Sequence, residues 1–124
     1  MRVLVCGGRD YAENLVVSAT LDNLREMHRI TTVIHGAAPG ADTLAGDWAK
    51  ANQIQVESFP VDPKDWKKHG KHAGPIRNQK MLDAKPDLVV AFPGGRGTAD
   101  MVARAEKAKI KVLRVSSVKV VSLK

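Results

Sequence analysis

The sequence predicts an α/β domain of the three-layer, Rossmann-like class, with a mainly parallel central sheet of five or more strands. Three observations predict it. Short β-branched runs alternate with stretches of helical apolar spacing along the chain. The runs break into glycine or proline at their ends, as buried strands do where they turn into a helix. A repeated strand–helix beat implies parallel neighbours, because a right-handed helical crossover is the routine way to join them.

Each element has its own justification. "RVLVC" (2–6) is a compact apolar run closed by Gly7 and Gly8, a strand followed by a tight turn. From Asn14 to His28, Val17, Leu21 and Leu24 keep helical spacing, and "TTVIHGA" (31–37) is again a β-branched run ending in glycine. Residues 41–52 set Ala41, Leu44, Ala45, Trp48 and Ala49 on one helical face, and "IQVESFPV" (54–61) alternates as a third strand. Residues 62–75 hold Pro63, Gly70, Gly74 and Pro75 among lysines and histidines and read as a long loop. A helix is expected from Pro75 to about Ala84, and "PDLVVAF" (86–92) supplies the fourth strand. Gly94, Gly95 and Gly97 follow, with Thr98 placed to cap a helix whose inward face is Met101, Val102, Ala105 and Ala108. "KVLRV" (111–115) is the fifth strand and "VKVVSLK" (118–124) a candidate sixth. No repeat, linker or shift of composition marks a boundary, so residues 1–124 read as a single domain.

Composition narrows the function classes. A chain of 124 residues, 44% hydrophobic and 27% charged, has enough apolar material for one core and excludes the disordered and fibrous classes. No apolar run approaches a signal-peptide core or a membrane span, so a cytoplasmic protein with no membrane partner is expected. Cys6 is the only cysteine, which rules out an internal disulfide, and its place at the end of the first apolar run fits a small packed thiol. The formal charge of +7 is concentrated at 64–80 and after Arg104; it favours anionic ligands, although a basic surface also serves solubility.

In an open α/β sheet ligands bind beyond the carboxyl ends of the strands, and the unusual residues collect there. "GGRD" (7–10) follows the first strand, "HGAAPGAD" (35–42) the second and "PGGRGT" (93–98) the fourth. The last has the properties of an anion cradle. Glycines let backbone N–H groups approach closely, a helix start presents unpaired donors, and Thr98 adds a hydroxyl. It lacks the Gly-Lys-Ser/Thr ending of a Walker loop, and "GGRDYA" lacks the dinucleotide spacing. On this reading Gly95→Val fills the cradle and forces φ. Gly36 and Gly40 frame a second turn into a helix, where Asp42 either complements the helix dipole or contacts a ribose hydroxyl. Arg9 and Asp10 are candidates for specificity, with Arg9 able to clamp a phosphate or stack on a base. His69 and His72 have metal-compatible spacing, but no cysteine or carboxylate cluster completes a site, and no metal is expected. Trp66 either stacks on a base or pins its own loop, the second being the commoner use.

"PDLVVAFPGGRGTADM" resembles the PGGxGTxxE signature of the SLOG superfamily, which includes the LOG phosphoribohydrolases and the DprA/Smf DNA-processing proteins. Together with "VCGGRDY", "HGAAPGADTLAGDWA" and "GPIRNQKML", the pattern is most similar to the YspA-related (YAcAr) branch, over roughly residues 2–115. The resemblance implies a Rossmann-like fold that binds nucleotides or nucleotide-derived ligands, with Gly94, Gly95, Gly97 and Thr98 on the phosphate and Pro93 and Arg96 beside them. It also implies that Arg77 corresponds to the catalytic arginine of LOG enzymes, with Asn78 where those enzymes often carry lysine. The signature glutamate is Met101, which accepts no proton; Asp100, about 100° away on an ideal helix, or Asp10 is the substitute carboxylate if the chain is catalytic. The expected order is therefore binding of a nucleotide or nucleotide-derived small molecule as sensor or carrier, then nucleoside 5′-monophosphate hydrolysis through Arg77 and Asp100, then single-stranded DNA binding. No cofactor is implied, and the resemblance to LOG proteins suggests a homodimer.

Overall fold

The computed structural model describes residues 1–116; the candidate sixth strand at 118–124 lies outside the described residues. The elements in chain order are β1 (Arg2–Cys6), α1 (Asn14–Met27), β2 (Thr32–His35), α2 (Ala41–Ala51), β3 (Gln55–Ser58), α3 (Pro63–His69), a 3-10 turn (Gly70–His72), α4 (Ala73–Asp83), β4 (Leu88–Ala91), α5 (Arg96–Lys107) and β5 (Lys111–Arg114). The five strands form one sheet in the order β3-β2-β1-β4-β5, with every pairing parallel.

Alternation within the strands separates two cores. Val3 and Val5 of β1, Val33 of β2 and Leu88 and Val90 of β4 face α1 and α2, where Val17, Leu21, Leu24, Ala45 and Trp48 close over them. Leu4 and Cys6, Ile34, and Val89 and Ala91 point the other way, against Met81 and Leu82 of α4 and Met101 and Ala105 of α5. β1, β2 and β4 are covered on both faces, which is why apolar residues follow one another without alternation at 3–6, 33–34 and 88–91. The edge strands β3 and β5 are partly exposed and carry Glu57, Lys111 and Arg114. Arg2 fastens the amino-terminal end of the sheet: its guanidinium donates to both oxygens of Glu57, at 2.7 and 3.0 Å, and to the Ala84 carbonyl oxygen. That pairing holds the Glu57 carboxyl below its usual range.

Four local expectations need correction. Residues 62–75 are largely helical, because Asp62 accepts from the Lys64 N–H at 2.9 Å as an N-cap and Pro63 takes the first helical position. The following helix therefore starts at Ala73, ahead of Pro75. Helix α5 starts at Arg96, with Gly95 as N-cap, so Thr98 lies inside the first turn; at the far end Ala108 is an exposed C-cap outside the packed face.

The topology also locates a crevice. The chain runs β1, β2, β3 in one direction across the sheet and then returns to place β4 on the opposite side of β1. Loops leaving β1 and β4 diverge to opposite faces and leave a cleft between their carboxyl ends.

Candidate functional site

Three glycine-bearing loops meet at that cleft, and Gly8 ties them together. Its N–H donates to the Pro93 carbonyl oxygen at 2.8 Å, and its own carbonyl oxygen accepts from Ala41 N at the start of α2, 3.2 Å away. Gly40 has φ +80, and a Cβ there would run into the Gly8 carbonyl oxygen. A Cβ on Gly94 would strike the Thr98 hydroxyl and lie 2.7 Å from Gly8 N. These glycines are joints between loops. Gly95 and Gly97 differ: a Cβ on either meets nothing within 4 Å, and Gly95 has φ −98, which any residue adopts. The expectation that Gly95→Val forces φ is therefore corrected; only the filling of space remains.

The meeting loops enclose a cavity of about 380 Å³. Cys6, Gly7 and Gly8 form part of its lining, Arg9 and Asp10 stand at the end of β1, and Ala38 and Asp42 come from the β2–α2 segment. Arg77, Asn78 and Met81 of α4 face the first turn of α5, contributed by Gly95, Arg96, Gly97 and Thr98. Gly36, Gly40, Pro93 and Gly94 do not line the space; they shape its walls.

The N-terminus of α5 opens onto this cavity without a side-chain cap and without an acid in its first turn. The first N–H to find its intrahelical partner is that of Ala99, 3.0 Å from the Gly95 carbonyl oxygen. The N–H groups of Arg96, Gly97 and Thr98 precede it and belong to the donors a helix start leaves over, with the positive end of the dipole behind them.

Arg77 faces that turn from α4. Its Nη1 donates to the Gly36 carbonyl oxygen at 2.6 Å and to that of Phe59 at 3.3 Å, and its Nε donates to Asn78 Oδ1 at 3.2 Å. Gly36 makes this possible, since a Cβ there would lie 2.6 Å from Nη1 and 3.0 Å from Asp42 Oδ2. Burial lowers the Arg77 pKa from its ordinary value, and the neighbouring charge of Arg9 pushes the same way while Asp42 opposes both. Three arginines, Arg9, Arg77 and Arg96, line the cavity.

Asp42 is almost fully buried and serves the loop before its own helix. Its Oδ2 accepts from Gly36 N at 3.0 Å and from Ala38 N at 3.2 Å. Burial raises its pKa, against the pull of those bonds, His35 and Arg77. Between these donors Ala37 sits at φ +59, a left-handed conformation that costs an alanine about 1–2 kcal/mol. Its N–H is satisfied by Nδ1 of His35, 2.9 Å away, and burial lowers the pKa of that imidazole.

Asn78, also buried, spans to α5: its Nδ2 donates to the Gly97 carbonyl oxygen at 3.2 Å and to Asp100 Oδ2 at 3.0 Å. The same Asp100 oxygen accepts from Arg104 Nε at 2.9 Å, and Asp100 does not line the cavity. Met101 is fully buried in the core shared with α4. Asp10 is exposed at the rim and is the other carboxylate on the cavity besides Asp42. The Cys6 thiol, which lines the floor, is pushed up to about 12, mainly by burial, and is no nucleophile at neutral pH.

The sequence reading missed Ala38 and Met81, whose ordinary side chains gave no signal. Asp62 and Pro63 carry a helix-start signal, but the sequence reading counts Pro63 with Gly70, Gly74 and Pro75 as a mark of a loop. Among the described residues no group of three His, Cys, Asp or Glu could hold a metal ion, and no helix is long and apolar enough to cross a membrane.

Comparison with known proteins agrees with this architecture. In structure, DprA, the DNA processing protein A of Streptococcus pneumoniae, matches with a TM-score of 0.75 at 19% identity, over 98% of this chain and 52% of that one. This chain thus spans about half of DprA. UDP-GlcNAc 2-epimerase from Neisseria meningitidis, bound to UDP-GlcNAc, matches with a TM-score of 0.59 at 19% identity, over 99% of this chain and 34% of that one. In sequence, the Gene 61 protein of Mycobacterium phage D29 is 40% identical over 119 residues, 90% of this chain and 94% of that protein. Residues 1–69 match the profile of the YspA, cpYpsA-related SLOG family (YAcAr). The chain belongs to that family.

Proposed function

We propose that this protein binds a nucleotide or nucleotide-derived ligand, as a sensor or carrier, with a phosphate of the ligand on the first turn of α5. The observation that carries the reading is the uncapped N-terminus of α5 opening onto a cavity that Arg9, Arg77 and Arg96 also line. Backbone donors, a helix dipole and guanidiniums converge there, and such a combination favours an anion. The volume, about 380 Å³, lies at the small end of the roughly 300–1,000 Å³ typical of ligand pockets. In this reading Asn78 is a positioning residue that holds Arg77 against the α5 turn, and residues 1–124 act as one domain.

Binding is preferred to cleavage of the N-glycosidic bond on the chemistry of the carboxylates. Hydrolysis needs a carboxylate positioned for water. Met101 occupies the signature position inside the core, Asp100 is held by Asn78 and Arg104, Asp42 is held by the Gly36 and Ala38 N–H groups, and Asp10 stands at the exposed rim.

Calorimetric titration with a panel of nucleoside mono-, di- and triphosphates tests the proposal on the wild type and on Gly95→Val. The new side chain has open space at its root, so stability stays within about 1 kcal/mol, while affinity for the best ligand falls at least tenfold. An unresponsive panel with folded protein, or full affinity in the folded variant, overturns the reading.

A further inference from the structure

The turn after β2 is held by side chains. The N–H groups of Gly36, Ala37 and Ala38 donate in succession to two acceptors: Asp42 Oδ2 takes the outer pair, and His35 Nδ1 takes the middle one at 2.9 Å. An imidazole nitrogen that accepts a hydrogen bond carries no proton, so this bond exists only while His35 is neutral. The middle residue is also the strained one, since Ala37 has φ +59.

The ring is wedged in place. It is buried at the carboxyl end of β2, and α2 crosses it at Gly46, where a Cβ would lie 2.9 Å from Nε2 and 3.3 Å from Cδ2. A proton on Nδ1 would face the Ala37 N–H donor to donor, and the packed ring cannot swing aside unless α2 moves. The charges acting on the ring all come from α2: Asp42 and Asp47 favour the imidazolium, Lys50 opposes it, and burial outweighs them, so the pKa is lowered. Ser58, beside His35 on β3, is uncharged. The turn in its place carries Arg77, because the Gly36 carbonyl oxygen accepts from Nη1 at 2.6 Å. Loss of the His35 bond removes one of three restraints on a turn whose central residue gains by relaxing, and the carbonyl that seats Arg77 moves with it. The ring itself does not line the cavity, so its added charge meets no ligand directly.

We propose that His35 is a positioning residue for the cavity and an acid-operated release: its neutral ring fixes the turn at 36–38 that seats Arg77, and its protonation frees the turn and weakens the hold on an anionic ligand. The release of ligand rests on the cavity reading given above. The first step, from ring to turn to Arg77, needs no ligand.

The test compares wild type with His35→Asn from about pH 7.5 to 5, the range in which histidine titrates. Asparagine at this position offers Oδ1 to the N–H two residues on, as in an Asx turn, and does not titrate. In ligand-free wild type, nuclear magnetic resonance should show the Gly36, Ala37 and Ala38 amides and the Arg77 Nε–H shifting together with the His35 ring, at one midpoint below the ordinary 6.5. In His35→Asn that transition should be absent. Calorimetry with adenosine 5′-monophosphate then gives the ratio of wild-type to variant affinity, in which the titrations of the phosphate and of Asp42 cancel. The ratio should fall by about three- to tenfold across the same midpoint, the equivalent of one neutral hydrogen bond. His35→Ala, checked by circular dichroism, should bind weakly at every pH. Stability carries the same sign: an imidazole whose pKa folding lowers contributes stability at neutral pH that is lost as pH falls below 6.5, so wild type should lose resistance to urea there relative to His35→Asn. A His35 transition that leaves the Ala37 amide and the Arg77 Nε–H unmoved, or an affinity ratio that is flat with pH, overturns the proposal. If adenosine 5′-monophosphate binds neither protein at neutral pH, the cavity reading fails for that ligand, and the ligand-free transition alone decides the His35 step.

Discussion

Gly36→Ala probes the site through a single methyl group. In the native loop Arg77 Nη1 occupies the place a Cβ would take, 2.6 Å from it, with Cζ at 2.8 Å. Carbon–nitrogen contact needs roughly 3.5 Å, so the guanidinium has to retreat by about 1 Å. Nη1 sits 2.6 Å from the Gly36 carbonyl oxygen and 3.3 Å from that of Phe59, and a retreat of that size takes it out of hydrogen-bonding range of both. Hydrogen bonds from a charged donor contribute about 1.5–3 kcal/mol each in favourable cases. Gly36 has no left-handed φ, so alanine recovers about 0.4–1 kcal/mol by restricting the unfolded chain. The net expectation is a loss of about 2–5 kcal/mol in urea unfolding. Nucleotide affinity should fall by about 10–100-fold, the equivalent of one charge-assisted bond to phosphate. The decisive control is the same substitution in an Arg77→Ala background. With no guanidinium to displace, most of the loss caused by Gly36→Ala should disappear, leaving the 3.0 Å contact with Asp42 Oδ2, and this non-additivity marks two residues acting through one group. Additive losses in the double variant, or no loss in the single one, would refute the assignment of Gly36 as the seat of Arg77.

Two further substitutions test neighbouring claims. Asp42→Asn keeps one oxygen to accept from Gly36 N and Ala38 N and removes a charge whose pKa burial raises. A carboxyl raised on folding contributes stability at low pH that is lost as pH rises through its folded-state value. The asparagine variant should therefore equal or exceed the wild type at pH 7, with the advantage shrinking towards the ordinary carboxyl pKa of about 4. Asp42→Ala strands both donors and should lose about 1–3 kcal/mol for each; urea midpoints from pH 4 to 8 decide, and a marked loss in Asp42→Asn at pH 7 would mean that attraction to Arg77 outweighs burial. Met101→Glu, which writes the missing signature residue back in, places a carboxylate at a fully buried position among Met81, Leu82 and Ala105. We expect loss of cooperative folding, at about 3 kcal/mol or more; soluble, folded variant that releases free base from a nucleoside monophosphate would contradict this.

Most of the framework followed from local rules. The stretches 3–6, 33–34 and 88–92 are apolar without alternation because their strands are covered on both faces, the arrangement in which such runs are found. Val17, Leu21 and Leu24, or Ala41, Ala45, Trp48 and Ala49, recur at helical spacing because one stripe of each helix meets the sheet. The Pro-Gly-Gly stretch after the fourth strand was visible in the same way, since glycine is the residue that leaves backbone donors bare. The segment at 62–75 was misread because its glycines and prolines carry the signature of a loop wherever they stand, and a helix held by one cap and one ion pair to α4 has no apolar stripe to announce it.

The order of residues along the chain was thus sufficient to determine the strand–helix alternation, the parallel sheet and the glycine loops at its carboxyl end, because those depend on spacing and sterics within a few residues. Which strand lies beside which, which of the glycines are joints and which are open, and what each polar group holds were decided only by tertiary structure. Arg77 reaches a carbonyl 41 residues away and Asn78 reaches one 19 residues away. Contacts at such separations depend on how two sheet faces bring distant segments together, and no local pattern records them.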